Sequence, residues 1–115
     1  MKPHLSPAVA AGSLLFLSGA LAFDGNGALP AGIEAQTSQC LDNLAAILAK
    51  HGLGPADIVK TTVWLTARSD FAGFNKAYAG WFGDWAPARS TTIAGLVIDG
   101  ALVEIEAVAR LKERT

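Results

Sequence analysis

Trp85-Ala-Pro-Ala-Arg-Ser-Thr-Thr-Ile93 is the stretch around which the rest of the chain is organised. Pro87 fixes its own φ and pushes Ala86 into an extended conformation, so the backbone enters the next residues stretched and stiff. Ser90 to Ile93 is rich in β-branched residues and predicts a strand, with Arg89 near its first residue. A guanidinium presented from such a support suits a carboxylate. The plainer alternative is an ion pair with a structural acid.

Outward towards the C-terminus, Asp99-Gly100 separates this strand from a second β-rich run, Ala101 to Leu111. Asp-Gly between such runs predicts a two-residue hairpin. That pairing sets Glu104 opposite Gly95 and puts Arg89, Thr91 and Ile93 on one face with Glu104, Glu106 and Val108. Arg89 and Glu104 would then stand roughly 20 Å apart, at about 3.3 Å per residue. They cannot meet within one hairpin.

Towards the N-terminus, Asp70 to about Gly83 has helical spacing, with Phe71, Tyr78 and Phe82 on one face and Ser69 placed to cap it. Asn75 shares that stripe, as a satisfied core amide or as a group facing a pocket. Ile58 to Thr66 predicts a strand, and Ile33 to about His51 an amphipathic helix stopped by Gly52. Cys40 lies on the apolar stripe of this helix and is expected to be a small core residue. Leu5 to Ala10 and Ser13 to Ala22 predict two strands around a tight turn, the second apolar on both faces. A strand of that kind needs cover on both sides. The whole is one domain, residues 1–115, with the order β-β-α-β-α-β-β.

Half of the residues are hydrophobic and 17% are charged, so some apolar surface is expected to meet another subunit. A net charge of -1 leaves no electrostatic footprint for nucleic acid. One cysteine and two histidines provide neither a disulfide nor metal-ligand spacing. A cytoplasmic setting fits the lone cysteine. Lys2, the apolar run from Ala8 and Ala20-Leu-Ala22 imitate a secretory leader, but Pro3, Pro7 and Gly12 interrupt it. The run is too short to cross a membrane as a helix.

Leu-Phe-Leu-Ser-Gly19, Ala35-Gln-Thr-Ser-Gln39, Leu41-Asp-Asn-Leu44, Val59-Lys-Thr-Thr-Val63, Asp70-Phe-Ala-Gly-Phe-Asn75, Pro87-Ala-Arg-Ser90 and Val103-Glu-Ile-Glu-Ala107, in this order, resemble the RidA (YjgF) family over nearly the whole chain. The resemblance implies a chorismate-mutase-like α+β fold, a sheet with two helices on one face. It also implies a homotrimer with clefts between subunits. Members retaining the arginine hydrolyse reactive 2-enamino and 2-imino acids to 2-keto acids and ammonia. Carried over by position, Arg89 binds the substrate carboxylate and Glu104 positions the water, with Ser18, Asn75, Thr91 and Leu5 lining the cleft. No cofactor is implied, because an imine is already electrophilic.

The chain departs from the common pattern at Leu5, where a tyrosine is usual, at Ala20, usually glutamine, and at Thr91, often cysteine or isoleucine. These changes imply an altered pocket. A non-catalytic trimer binding a small carboxylate would need Arg89 but not Glu104. A ribonuclease or translation inhibitor would need a basic, aromatic-lined surface that the sequence lacks.

Overall fold

The computed structural model describes residues 3–112. Lys2 of the leader-like pattern and Arg114 of the basic C-terminal end lie outside the described residues. The apolar run that imitates a leader is built into a sheet as β1 (Ala8–Ala11) and β2 (Leu14–Ala20). Gly12, with φ at 59°, makes the turn between them. Then follow α1 (Ile33–Lys50), β3 (Ile58–Leu65), α2 (Phe71–Phe82), β4 (Ala88–Ile93) and β5 (Val103–Arg110). The expected order of elements is the observed one.

The five strands form one mixed sheet in the order β1-β2-β5-β3-β4. β4 pairs parallel with β3, from Lys60↔Ala88 to Leu65↔Ile93, across the α2 connection. β5 lies antiparallel between β2 and β3. The expected Asp99-Gly100 hairpin between β4 and β5 is therefore absent. A two-residue type I′ turn needs positive φ at both central residues, and only Gly100, at 84°, has it.

Burial explains why the strands part. Val103, Ile105, Ala107 and Ala109 are all buried, so β5 gains most from a central position, whereas β4 is almost wholly exposed and suits an edge. The start of β5 is also taken. The side-chain amide of Gln36 accepts a hydrogen bond from the Leu102 N–H at 2.8 Å and donates to the Gly100 carbonyl at 3.0 Å.

Both helices pack on one face. Leu15, Leu17, Val63, Leu65, Val103 and Ile105 meet Cys40, Leu41, Leu44 and Leu48 of α1 and Phe74, Tyr78 and Phe82 of α2. Each large side chain so buried contributes roughly 1.5–3 kcal/mol. Ser69 does not cap α2. It sits inside a 3-10 turn, Arg68–Asp70, and Asp70 occupies the cap position without a side-chain hydrogen bond. The tight turn delivers Phe71 directly into the helix, leaving the Ser69 hydroxyl out of reach of the first-turn amides.

The other face has no helix. Val9, Phe16 and Val108 lie in one row across it, and Phe16 and Val9 are 45% and 55% exposed.

Candidate functional site

Arg89 sits on the helix-covered face at the β4 edge, in register with Thr61 and, through it, Ala107. Its guanidinium carbon lies 5.0 Å from the Tyr78 ring centre, 5.2 Å from Phe74 and 6.0 Å from Phe71. These rings recur along α2 at spacings of three or four residues, which stacks them on one stripe. Their faces hold the cation electrostatically while leaving its N–H fork free. Arg89 takes part in no ion pair among the described residues.

The aromatic floor is itself fixed. Tyr78 and the fully buried Thr61 share a 2.7 Å hydrogen bond between hydroxyls. Burial raises the Tyr78 pKa, with the Thr61 bond and the Arg89 charge pulling the other way, so the phenol stays neutral. Trp85 closes the approach to β4 by donating its indole N–H to the Ile58 carbonyl at 2.8 Å.

Two cavities, each of about 250 Å³, lie along α2 and β4. One is lined by Tyr78, Phe82, Trp85, Pro87 and Arg89 itself. The other is lined by Phe71, Thr91, Thr92, Ile93 and Arg68. The Thr91 hydroxyl is buried and has no hydrogen-bond partner. An orphan hydroxyl of this kind is costly unless a ligand satisfies it. Asn75 is half-buried on α2, one turn from Phe71 and nearly one from Tyr78.

Glu104 is elsewhere. It pairs across the sheet with Trp64, so it points to the face without helices, and the expectation that it shares a face with Arg89 is overturned. With β4 reversed relative to a hairpin, the two residues stand two strands and three residues apart, roughly 14 Å between backbones, on opposite faces. Burial, followed by the charge of Glu106 two residues away, raises the Glu104 pKa. Its carboxylate lies over Gly19, where a Cβ would collide with Oε2.

Ser18 and Leu5 belong with Glu104 rather than with Arg89. The Ser18 hydroxyl donates to the Ser6 carbonyl at 2.6 Å and its N–H to the Pro7 carbonyl at 3.0 Å, which ties the segment before β1 to β2. Leu5 on that segment is 60% exposed. From β1 to β4 is four strand spacings, about 19 Å.

The candidate residues thus fall into two groups: Arg89, Thr91 and Asn75 towards the β4 edge, and Leu5, Ser18, Gly19 and Glu104 on the β1-β2-β5 side. Sequence reasoning missed the close approach of Glu104 to Gly19 and the α2 aromatics as a support for the guanidinium. The signal for the last was present, since an aromatic ladder precedes the arginine strand.

Cys40 is fully buried, with its thiol 3.7 Å from the Val103 carbonyl. Burial, and secondarily the Glu104 charge, push its pKa up to about 12, which leaves no thiolate for nucleophilic chemistry. Among the described residues no cluster of His, Cys, Asp or Glu could hold a metal ion, and no helix is long and apolar enough to cross a membrane.

The family described as Endoribonuclease L-PSP matches residues 2–111. A RutC family protein of Pyrococcus horikoshii is 40% identical over 106 residues, which is 90% of this chain and 84% of that one. Reactive Intermediate Deaminase A of the Arabidopsis thaliana chloroplast is 37% identical over 108 residues, covering 92% of this chain and 58% of that one. Among solved structures, E. coli TdcF with bound serine superposes with a TM-score of 0.89 at 32% identity, over 97% of this chain and 91% of that one.

Proposed function

Because the chain belongs to the Endoribonuclease L-PSP family, the RidA (YjgF) family of the sequence resemblance, we propose that it hydrolyses 2-imino and 2-enamino acids to 2-keto acids and ammonia. The observation that carries this reading is Arg89, a guanidinium held over three aromatic rings with no acid paired to it among the described residues. Such a fork receives a carboxylate through two parallel, charge-assisted hydrogen bonds, each contributing about 1.5–3 kcal/mol. The serine bound in the TdcF structure is a ligand of that kind.

With the carboxylate on Arg89, the electrophilic C2 lies beside Thr91. Glu104 of a neighbouring subunit takes a proton from water as the water oxygen bonds to C2 and the C=N π pair moves onto nitrogen, and the protonated Glu104 then returns that proton to the nitrogen. Collapse of the resulting carbinolamine breaks the C–N bond, releases ammonia and leaves the keto acid. General-base assistance of this type contributes roughly 10² to 10⁴ in rate. Glu104 must be ionised to act as a base, so the rate falls as pH drops through its raised pKa.

A homotrimer supplies both half-sites. The apolar, helix-free sheet face bearing Val9, Phe16 and Val108 is the surface available for that packing. A cytoplasmic location suits substrates released by other enzymes. The family's endoribonuclease description has less support here, given a net charge of -1 and exposed, isolated His4 and His51.

Keto-acid release from freshly generated imines is the direct test. Arg89→Ala and Arg89→Lys should both lose turnover, since an ammonium cannot reproduce the planar fork. Glu104→Gln should bind a keto acid but turn over poorly. Near-normal activity of Arg89→Lys would end the bidentate role, and full activity of Glu104→Gln would favour a binding protein without catalysis.

A further inference from the structure

The cavity lined by Thr91, Thr92 and Ile93 of the Arg89 strand also has a cation, Arg68, in its wall. Phe71 is common to the two arginines, its ring lying 6.0 Å from the Arg89 guanidinium carbon while also lining the cavity with Arg68, Thr91, Thr92 and Ile93. The rest of the cavity wall is an aromatic ring, an isoleucine and two threonines. The one buried polar group among them is the unpartnered Thr91 hydroxyl.

Stability does not account for Arg68. It lies in the 3-10 turn, Arg68–Asp70, that leads into the N-terminus of α2, where a cation opposes the helix dipole. It forms no ion pair among the described residues, although Asp70 follows two positions later. Its backbone is held. The Asp70 N–H bonds to the Ala67 carbonyl at 3.1 Å, and just upstream the Thr66 N–H bonds to Leu102 at 3.2 Å. An arginine so placed, unpaired and facing a cavity that already adjoins a carboxylate receptor, fits a second anionic group on the same ligand.

We infer that Arg68 recognises a distal carboxylate and that the preferred substrates are dicarboxylic 2-imino acids; this rests on the deaminase reading. The first carboxylate sits on Arg89, the methylenes pass between Phe71 and Ile93, and the second carboxylate reaches Arg68. A monocarboxylic substrate of equal length fills the same apolar passage but leaves Arg68 without a partner.

The experiment compares imines freshly released from glutamate and from norvaline, which share five carbons and differ in the distal carboxylate. The readout is the ratio of their kcat/KM values. The wild type should favour the glutamate imine by about tenfold, the low end for a charge-assisted contact near solvent. Arg68→Met should bring the ratio close to unity, chiefly through KM, and Arg68→Lys should retain part of the preference. An unchanged ratio in Arg68→Met overturns the inference.

A parallel arm measures calorimetric binding of 2-oxoglutarate and 2-oxopentanoate to the wild type and to Arg68→Met, without turnover. If neither imine is hydrolysed, the deaminase reading falls. A 2-oxoglutarate preference lost in Arg68→Met still supports dicarboxylate recognition in that event, and equal binding of the two keto acids overturns it.

Discussion

Gly19 has no side chain, and the Glu104 carboxylate occupies the space one would fill. Its φ is not among the positive ones, so alanine is conformationally acceptable there and its main effect is to evict Glu104. Gly19→Ala should therefore lower kcat by about 10²-fold, the lower range for losing a positioned base, while KM changes little because the Arg89 half is untouched. The unfolding midpoint should stay near wild type. Near-normal kcat in this variant would show that the carboxylate works equally well from another rotamer. The pairing of Ser18 and Gly19 stands in the sequence, but the residue that needs the missing Cβ is some eighty positions away and could be identified only from coordinates.

At the scale of elements, α2 is docked on β3 by one polar contact in an otherwise apolar interface. Thr61 is fully buried, and its hydroxyl is bonded to Tyr78. Tyr78→Phe leaves that hydroxyl unsatisfied and should cost about 1–2 kcal/mol in urea unfolding at fixed protein concentration. Tyr78→Phe combined with Thr61→Val removes both polar groups and should recover most of the loss. A double variant no more stable than the single one would place the cost in ring packing instead. The helix stripe containing Tyr78 was legible from its spacing of aromatic residues. Its partner on β3 was not, because a threonine in a β-branched run carries no mark of which neighbour its hydroxyl meets.

At the scale of the molecule, Arg89 and Glu104 lie on opposite faces of one sheet, so the proposed site would draw on two chains. Arg89→Ala and Glu104→Gln, each assembled alone, should be nearly inactive. Dissociating the two, mixing and reassembling them should restore activity, since some hybrid interfaces contain both native residues. Wild type carried through the same treatment is the control. A mixture that stays inactive while that control recovers, or a fully active monodisperse monomer, would refute the shared site. The apolar row of Val9, Phe16 and Val108 is the surface such an assembly would cover.

Element order and type were determined locally: spacing of apolar residues, glycine stops and proline-stiffened entry are properties of neighbouring residues, and they placed both helices and all five strands. The same local chemistry located Arg89 on a rigid strand and Cys40 in the core. Strand neighbours were decided only by the tertiary structure. Asp99-Gly100 favours a hairpin in isolation, but β5 buries four side chains when flanked by β2 and β3, and a β4–β5 pair would forfeit one of those partners. The face on which each residue lies follows from that choice. Side chains alternate with a period of two along every strand, so exchanging a hairpin for a parallel β3–β4 pair moved Arg89 and Glu104 to opposite sides of the sheet.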